Sequence, residues 1–286
     1  MFRALLKKSL LESRTLWVCC AVAMGVFHML FVWIMSQFPT GNFKSILAFV
    51  PSIMQKMFPV GIDQLASSAG RIAIAYDHPI VLLLCIVWSF ARGSDVVSGE
   101  LGRGTMDMVL AQPVSRIRVL LVSTAVTVLG AAGLAIVAWL GTATALQWVH
   151  FEETVESASF VPAAMGLFSL MLFLIGIATL ASSADRYRWR TIGIVGGFYA
   201  VEAIIRLVAL LVPGWEWLSY FSFFSAFNPQ AYVGNPQLAW TLLETHANGW
   251  WRLGGLGGQA VLTSLGVVCL VIAGIIFAKR DLPAPL

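Results

Sequence analysis

Residues 98–118 read SGELGRGTMDMVLAQPVSRIR. The stretch holds Glu100, Arg103, Asp107, Arg116 and Arg118, three glycines and Pro113, and a long apolar run stands on either side of it. A helix rising 1.5 Å per residue needs about 20 apolar residues to cross a hydrocarbon core of about 30 Å. The flanking runs, near Pro79–Val97 and Val119–Leu146, have that length. A polar corner between two such runs is the turn of a membrane hairpin, and the pattern repeats outward in both directions. Further runs lie near Thr15–Met35, Val161–Ala181, Thr191–Val212 and Gly254–Ala278. The sequence therefore predicts an all-α integral membrane protein of six transmembrane helices in one domain spanning residues 1–286.

Composition agrees. The chain is 59% hydrophobic and 11% charged, with mean hydropathy +0.84, whereas soluble domains carry about 25% charged residues. The first apolar run is too long for a signal-peptide core and lacks a clear small-x-small cleavage site, so it is expected to stay as a span. Arginine and lysine favour cytoplasmic loops. Arg3, Lys7, Lys8, Arg14, Arg92, Arg103, Arg116, Arg118, Arg186, Arg188, Arg190, Lys279 and Arg280 fall on one side of the six-span pattern. Lys44, Lys56, Arg71 and Arg252 fall on the other. Both termini and residues 98–118 are thus expected in the cytoplasm, with the protein multi-pass in the inner membrane. The net charge of +4 fits this topology and anionic headgroups, and it calls for no nucleic-acid partner.

Residues 1–14, MFRALLKKSLLESR, set Phe2, Leu5, Leu6 and Ser9 on one helical face and Arg3, Lys7 and Arg14 on another, the pattern of an interfacial amphipathic helix. The outer segments 36–78 and 213–253 hold apolar pieces too short or too Pro-broken to span. With Trp215, Trp217, Trp240, Trp250 and Trp251 among them, re-entrant or interface-lying helices are expected there. Glu152, Glu153 and Glu156 make the next outer connection acidic. The pairs Gly193/Gly197 and Gly254/Gly258 permit close helix approach, either within the chain or along a dimer seam. Cys19, Cys20, Cys85 and Cys269 fall inside spans as small apolar packers, with no disulfide expected. His28, His78, His150 and His246 and nearby methionines lie toward the outer side. No H-x-x-x-H or C-x-x-C spacing joins them, so no metal site is expected.

Within residues 98–118 the order of residues reads as two short helices with a corner. Thr105 has a capping hydroxyl, and Met106, Val109 and Leu110 share a face. Pro113 stops the run, and Ser115 can cap the helix that follows. The residues Glu100, Gly104-Thr105, Asp107, Leu110 and Pro113-Val114-Ser115-Arg116 resemble the first cytoplasmic loop of type-2 ATP-binding-cassette permeases, written E-x-x-x-G-T-x-E-x-L-L-x-x-P-V-S-R. Six spans, a basic amphipathic start, Asn228-Pro229 and the ending Lys279-Arg280-Asp281-Leu282 extend the resemblance over nearly the whole chain. One branch of that family, the permeases of nitrous-oxide-reductase maturation systems, serves copper-site assembly. The resemblance implies that this loop is a coupling helix docking on a separate cytosolic ATPase, which binds ATP and Mg. It also implies a homodimer, or a heterodimer with a similar permease, acting as an exporter or transmitting force. Met106, Val109 and Leu110 would then be apolar anchors within a polar rim that includes Glu100, Asp107 and Arg116. Methionine stands at 106 and 108 where the family more often has leucine. The plain alternative is a charged hairpin that keeps the topology.

No G-x-x-x-x-G-K-[ST] stretch is present, so ATP hydrolysis by that chemistry, and any cofactor of it, falls to a partner. Inside the membrane, Glu202 and Arg206 stand one turn apart in the favourable order for an ion pair. They line a translocation path or gate, or they pair structurally between packed helices. Two other functions compete. A membrane-embedded enzyme would need H-E-x-x-H or paired aspartates at depth, and neither occurs. A scaffold anchoring an extracytoplasmic partner at the outer loops is the third.

Overall fold

A computed structural model describes residues 2–51, 60–106, 108, 111, 114–245 and 251–280. Six helices in it are long and apolar enough to cross a membrane: Arg3–Ser36, Ser68–Gly102, Arg116–Trp148, Ser157–Ala184, Arg188–Leu211 and Gly255–Lys279. All six predicted spans are present. The antiparallel crossings bring Lys8, Glu100, Arg116, Asp185 and Arg280 to one end, where Lys8 Nζ bonds Glu100, Arg116 bonds the Arg280 carbonyl, and Arg280 bonds the Asp185 carbonyl.

Two boundaries differ from the sequence reading. The amphipathic start is not a separate element: Phe2–Ser36 is one unbroken helix. No glycine or proline stands between Arg3 and Val18 to turn it. Its 35 residues reach roughly 50 Å, longer than the hydrocarbon. The second span starts earlier than Pro79. Its helix begins at Ser68, where the Ser67 hydroxyl accepts from Gly70 N, and breaks at His78. Pro79 has no N–H to donate and forces His78 into an extended conformation (φ −61°, ψ 138°). The helix resumes under a His78 cap, Nδ1 accepting from Ile80 N.

The fourth span is the core of the bundle. It is apolar on every face, and 78% of its apolar window is buried, against 17% for the fifth span. A helix greasy all round can be central or lipid-facing; here small residues decide. A Cβ built at Gly176 would lie 2.5 Å from the Gly266 carbonyl oxygen of the sixth span, so only glycine lets these backbones meet. The first and third spans meet in the same way at Gly25 and Gly141. Of the two glycine pairs singled out in the sequence, Gly254/Gly258 packs against the Thr241 and Ala226 carbonyls, whereas Gly193 and Gly197 face open space on the fifth span.

The opposite end is built from short elements: Thr40–Ala48, Ile62–Ala66, the 3-10 turns Glu216–Phe221 and Phe223–Ala226, Pro229–Gly234, Pro236–Ala239, and a two-stranded antiparallel hairpin pairing Leu243 with Leu253. Trp215, Trp217, Phe221 and Trp240 are exposed there, in keeping with an aromatic belt. Trp250, and the side chain of Trp251, lie outside the description. Arg71 is buried (1% exposed) and organises this end. It donates to the Met35 and Phe38 carbonyls, to Thr40 Oγ1 (3.2 Å) and to Ser68 Oγ (3.2 Å), between the rings of Phe43 and Phe151. Glu152 and Glu153 accept from Thr40 N and Ser68 N, at helix N-termini where carboxylates are favoured. The Thr40 hydrogen bonds hold the Glu152 carboxyl below the usual range.

Overpacking a close helix crossing costs about 1–3 kcal/mol or more. Gly176→Leu is expected to lower the midpoint of thermal aggregation in detergent by several degrees, while Gly274→Leu, which meets open space, leaves it within about a degree. Equal midpoints for the two variants would contradict the crossing.

Candidate functional site

The spacing E-x-x-x-G-T has a local cause. The second span ends at Gly102, and Gly104 turns the chain at φ +68°, a conformation that favours glycine. Gly104 N then donates to the Leu101 carbonyl and Thr105 N to the Glu100 carbonyl, both at 3.1 Å, forming a Schellman cap. Glu100, Gly104 and Thr105 are the residues at the two ends of that cap. The Thr105 hydroxyl turns back to the Glu100 carboxylate at 2.5 Å rather than forward into the loop. At the other end of the loop Ser115 caps the third span, accepting from Arg118 N, as the sequence predicts.

Around this cap lies a junction of charges that the sequence reading did not assemble. Asp95, 9% exposed, meets three arginines: Arg103 at 2.7 Å, Arg188 at 3.3 Å and Arg92 at 3.5 Å. Glu100, 7% exposed, bonds Lys8 at 2.7 Å and Arg103 at 3.1 Å. Arg92 also donates to Ser9 Oγ, and Arg188 to the Ala91 carbonyl and Ser94 Oγ. The hydrogen bond to Asp95 raises the pKa of Arg103, which stays charged. One network thus joins the first helix, the second span, the start of the 98–118 loop and the fifth span. Arg92 and Asp95, charges three residues apart at the end of an apolar run, were its signal in the sequence.

The predicted loop residues divide. Met106 is not an outward anchor: it is 1% exposed and packs with Val96, Val97, Leu120 and Phe277. Glu100 is likewise an inward partner of Lys8 rather than part of an exposed rim. Among the described loop residues, Met108, 70% exposed, and Ala111 face out. Asp107, Val109, Leu110 and Pro113 lie outside the described residues. Arg116 Nη1 donates to the Arg280 carbonyl at 2.6 Å, and Arg280 donates to the Ser183 and Asp185 carbonyls, so the loop's far end is tied to the sixth span and the fourth-to-fifth connection.

Glu202 and Arg206 both turn to one outer segment. Glu202, buried, accepts from Phe223 N at 3.2 Å, and Arg206 donates to Ser225 Oγ at 3.1 Å and Asn228 Oδ1 at 3.2 Å. Asn228 precedes Pro229, the dipeptide singled out in the sequence, and its place as anchor of this segment was not legible there. His28 is fully buried, with Nδ1 2.9 Å from the Met24 carbonyl and its ring against Tyr76. Among the described residues no three His, Cys, Asp or Glu side chains come together in a way that could hold a metal ion.

The model of the family described as ABC-2 family transporter protein matches residues 7–282. The chain belongs to the ABC-2 transporter family. It is a multi-pass membrane protein and a permease subunit of an ABC transporter, and this membership implies a separate cytosolic ATPase subunit. No curated protein matches the chain. In this ABC-2 permease the junction around Asp95 and Glu100 joins the E-x-x-x-G-T motif to the helices.

Removing one partner of a buried ion pair costs about 3–5 kcal/mol, and exposed pairs far less. Because Lys8 is partly exposed, Glu100→Gln is expected to lower thermal stability more than Lys8→Met. The double variant should fall short of the sum by about 1 kcal/mol. Strict additivity in that double-mutant cycle would contradict the contact.

Proposed function

We propose that residues 98–118 are the docking knob on which a cytosolic cassette ATPase closes, and that the Asp95–Glu100 junction passes that closure to the first, second and fifth spans. The observation that carries this reading is the division of the loop. Its base is fixed from within by Glu100, Thr105, Met106 and Arg103, while Met108 projects outward with 70% of its surface free. An exposed flexible thioether beside a rigid, charge-locked base suits a partner's apolar groove. The Lys and Arg asymmetry supports placing this end, and both termini, in the cytoplasm of the inner membrane.

ATP and Mg would be held by the ATPase, so this subunit supplies no hydrolytic chemistry. Its task is mechanical: an outward movement of substrate, or a force delivered across the bilayer to the outer elements or to a partner docked on them. Glu202 and Arg206 tie the fifth span to the outer segment 222–228, which gives that span a handle on the far side. The little-buried fifth span, with Gly193 and Gly197 open, supports pairing with a second permease copy or a similar chain.

Met108→Asp with Ala111→Asp places charges on the exposed part of the loop. In a dry groove such unpaired charges cost several kcal/mol. The expected result is normal membrane insertion with at least a tenfold loss of co-purifying ATPase. Full retention of the ATPase would overturn the docking reading, and so would purification of wild-type protein that never brings one down.

A further inference from the structure

Between the apolar body of the second span and the charged cap lies a five-residue π-helical turn, Asp95–Gly99, buried throughout. A π turn carries one residue more than an α turn and leaves backbone groups without regular partners. Here one side chain of the central span supplies them. Ser182 Oγ accepts from Val97 N at 3.2 Å and from Ser98 N at 2.9 Å, and it lies 2.9 Å from the Ser94 carbonyl. Ser98 Oγ donates to the same carbonyl at 2.7 Å, and Thr191 Oγ1 of the fifth span donates to Ser98 Oγ at 3.1 Å. The widened turn is therefore closed by a hydroxyl from the fourth span and braced from the fifth. Gly99 belongs to the same arrangement, since a methyl there would overlap Asp95 Oδ1.

The geometry points to this π turn as the joint at which movement of the loop enters the membrane, with Ser182 as the positioning residue that holds its extra residue in place. The inference rests on the coupling reading above and adds its location. If the turn closed to α geometry, everything beyond it would rotate by about 100° and shift by about 1.5 Å relative to the span. Glu100 would leave Lys8, and Arg103 would leave Asp95. The two arrangements are discrete, differing by one residue of register, so the turn is a two-position element rather than a soft bend. Its contacts explain why the present position is held: Ser182 satisfies the π form, and the ion pairs downstream are made only in the register it sets. In the other register the Ser182 hydroxyl has no free amides to accept from.

Spin labels at Leu83 and Gly102 bracket the turn on one helix, with Cys19, Cys20, Cys85 and Cys269 replaced by Ala. Leu83 is exposed, and a side chain at Gly102 meets nothing within 4 Å. Pulsed electron-electron resonance on the full chain in nanodiscs should give one narrow distance. Ser182→Ala is expected to broaden it or move it by at least about 3 Å without any nucleotide, and Gly99→Ala, which crowds Asp95, is expected to do the same. Binding of the co-purified ATPase with a non-hydrolysable ATP analogue should move the distance in the otherwise unaltered protein. An unchanged narrow distance in both variants overturns the joint even where no ATPase binds. A nucleotide-insensitive distance in a complex that does hydrolyse ATP overturns it while leaving the docking reading standing. Ser182→Ala leaving the amount of bound ATPase unchanged while the distance shifts is the result that separates the joint from the docking surface.

Discussion

The carboxylate of Asp95 is the constraint on which the terminus-bearing end depends. A negative charge at the edge of the hydrocarbon is costly unless paired, and Asp95 draws Arg92, Arg103 and Arg188 around itself from the second span, the loop and the fifth span. Arg103 then bridges to Glu100, and Glu100 to Lys8 on the first helix. Elements that apolar packing alone would leave free to slide are thereby held in one register. Apolar contacts between lipid-facing helices discriminate poorly, because lipid tails are as apolar as leucine. Ion pairs with short, specific distances do discriminate.

The two ends of the molecule use the same device. On the far side, Arg71 gathers the carbonyls at the end of the first span and the hydroxyl of Thr40 at the start of the next short helix, while Glu152 and Glu153 seat two helix N-termini. Between these polar ends the fourth span packs through backbone contacts that only glycine allows, as at Gly176 and Gly266. A rigid middle with polar joints at each end suits a subunit that passes a movement across the membrane, which is the role proposed for it.

Much of this architecture was legible in the sequence because hydrophobic length is a strong, one-dimensional signal. Six spans and the polar corner between the second and third spans follow from hydrophobic length, and the Ser115 cap from a serine placed between Pro113 and the next apolar run. Tertiary facts were not legible. The six apolar runs look alike, so nothing marked the fourth as central, and the glycines that decide the crossings, Gly176 and Gly266, belong to different helices and form no motif. Met106 reads as an anchor on a shared face with Val109 and Leu110, but the Schellman cap at Gly104 rotates it inward. Lys8 reads as a topology charge until the unbroken first helix brings it to Glu100. The π turn at Asp95–Gly99 has no signature of its own: its stabiliser, Ser182, is more than eighty residues away.

The most direct measurement is a cryo-electron-microscopy structure of the permease purified with its ATPase, captured with and without a non-hydrolysable ATP analogue. ATPase density is expected over Met108 and Ala111, with the Lys8–Glu100 and Asp95–Arg103 pairs displaced between the two states and the Gly176–Gly266 crossing unchanged. ATPase density elsewhere, or a charge junction that stays the same in both states, would contradict the proposed coupling.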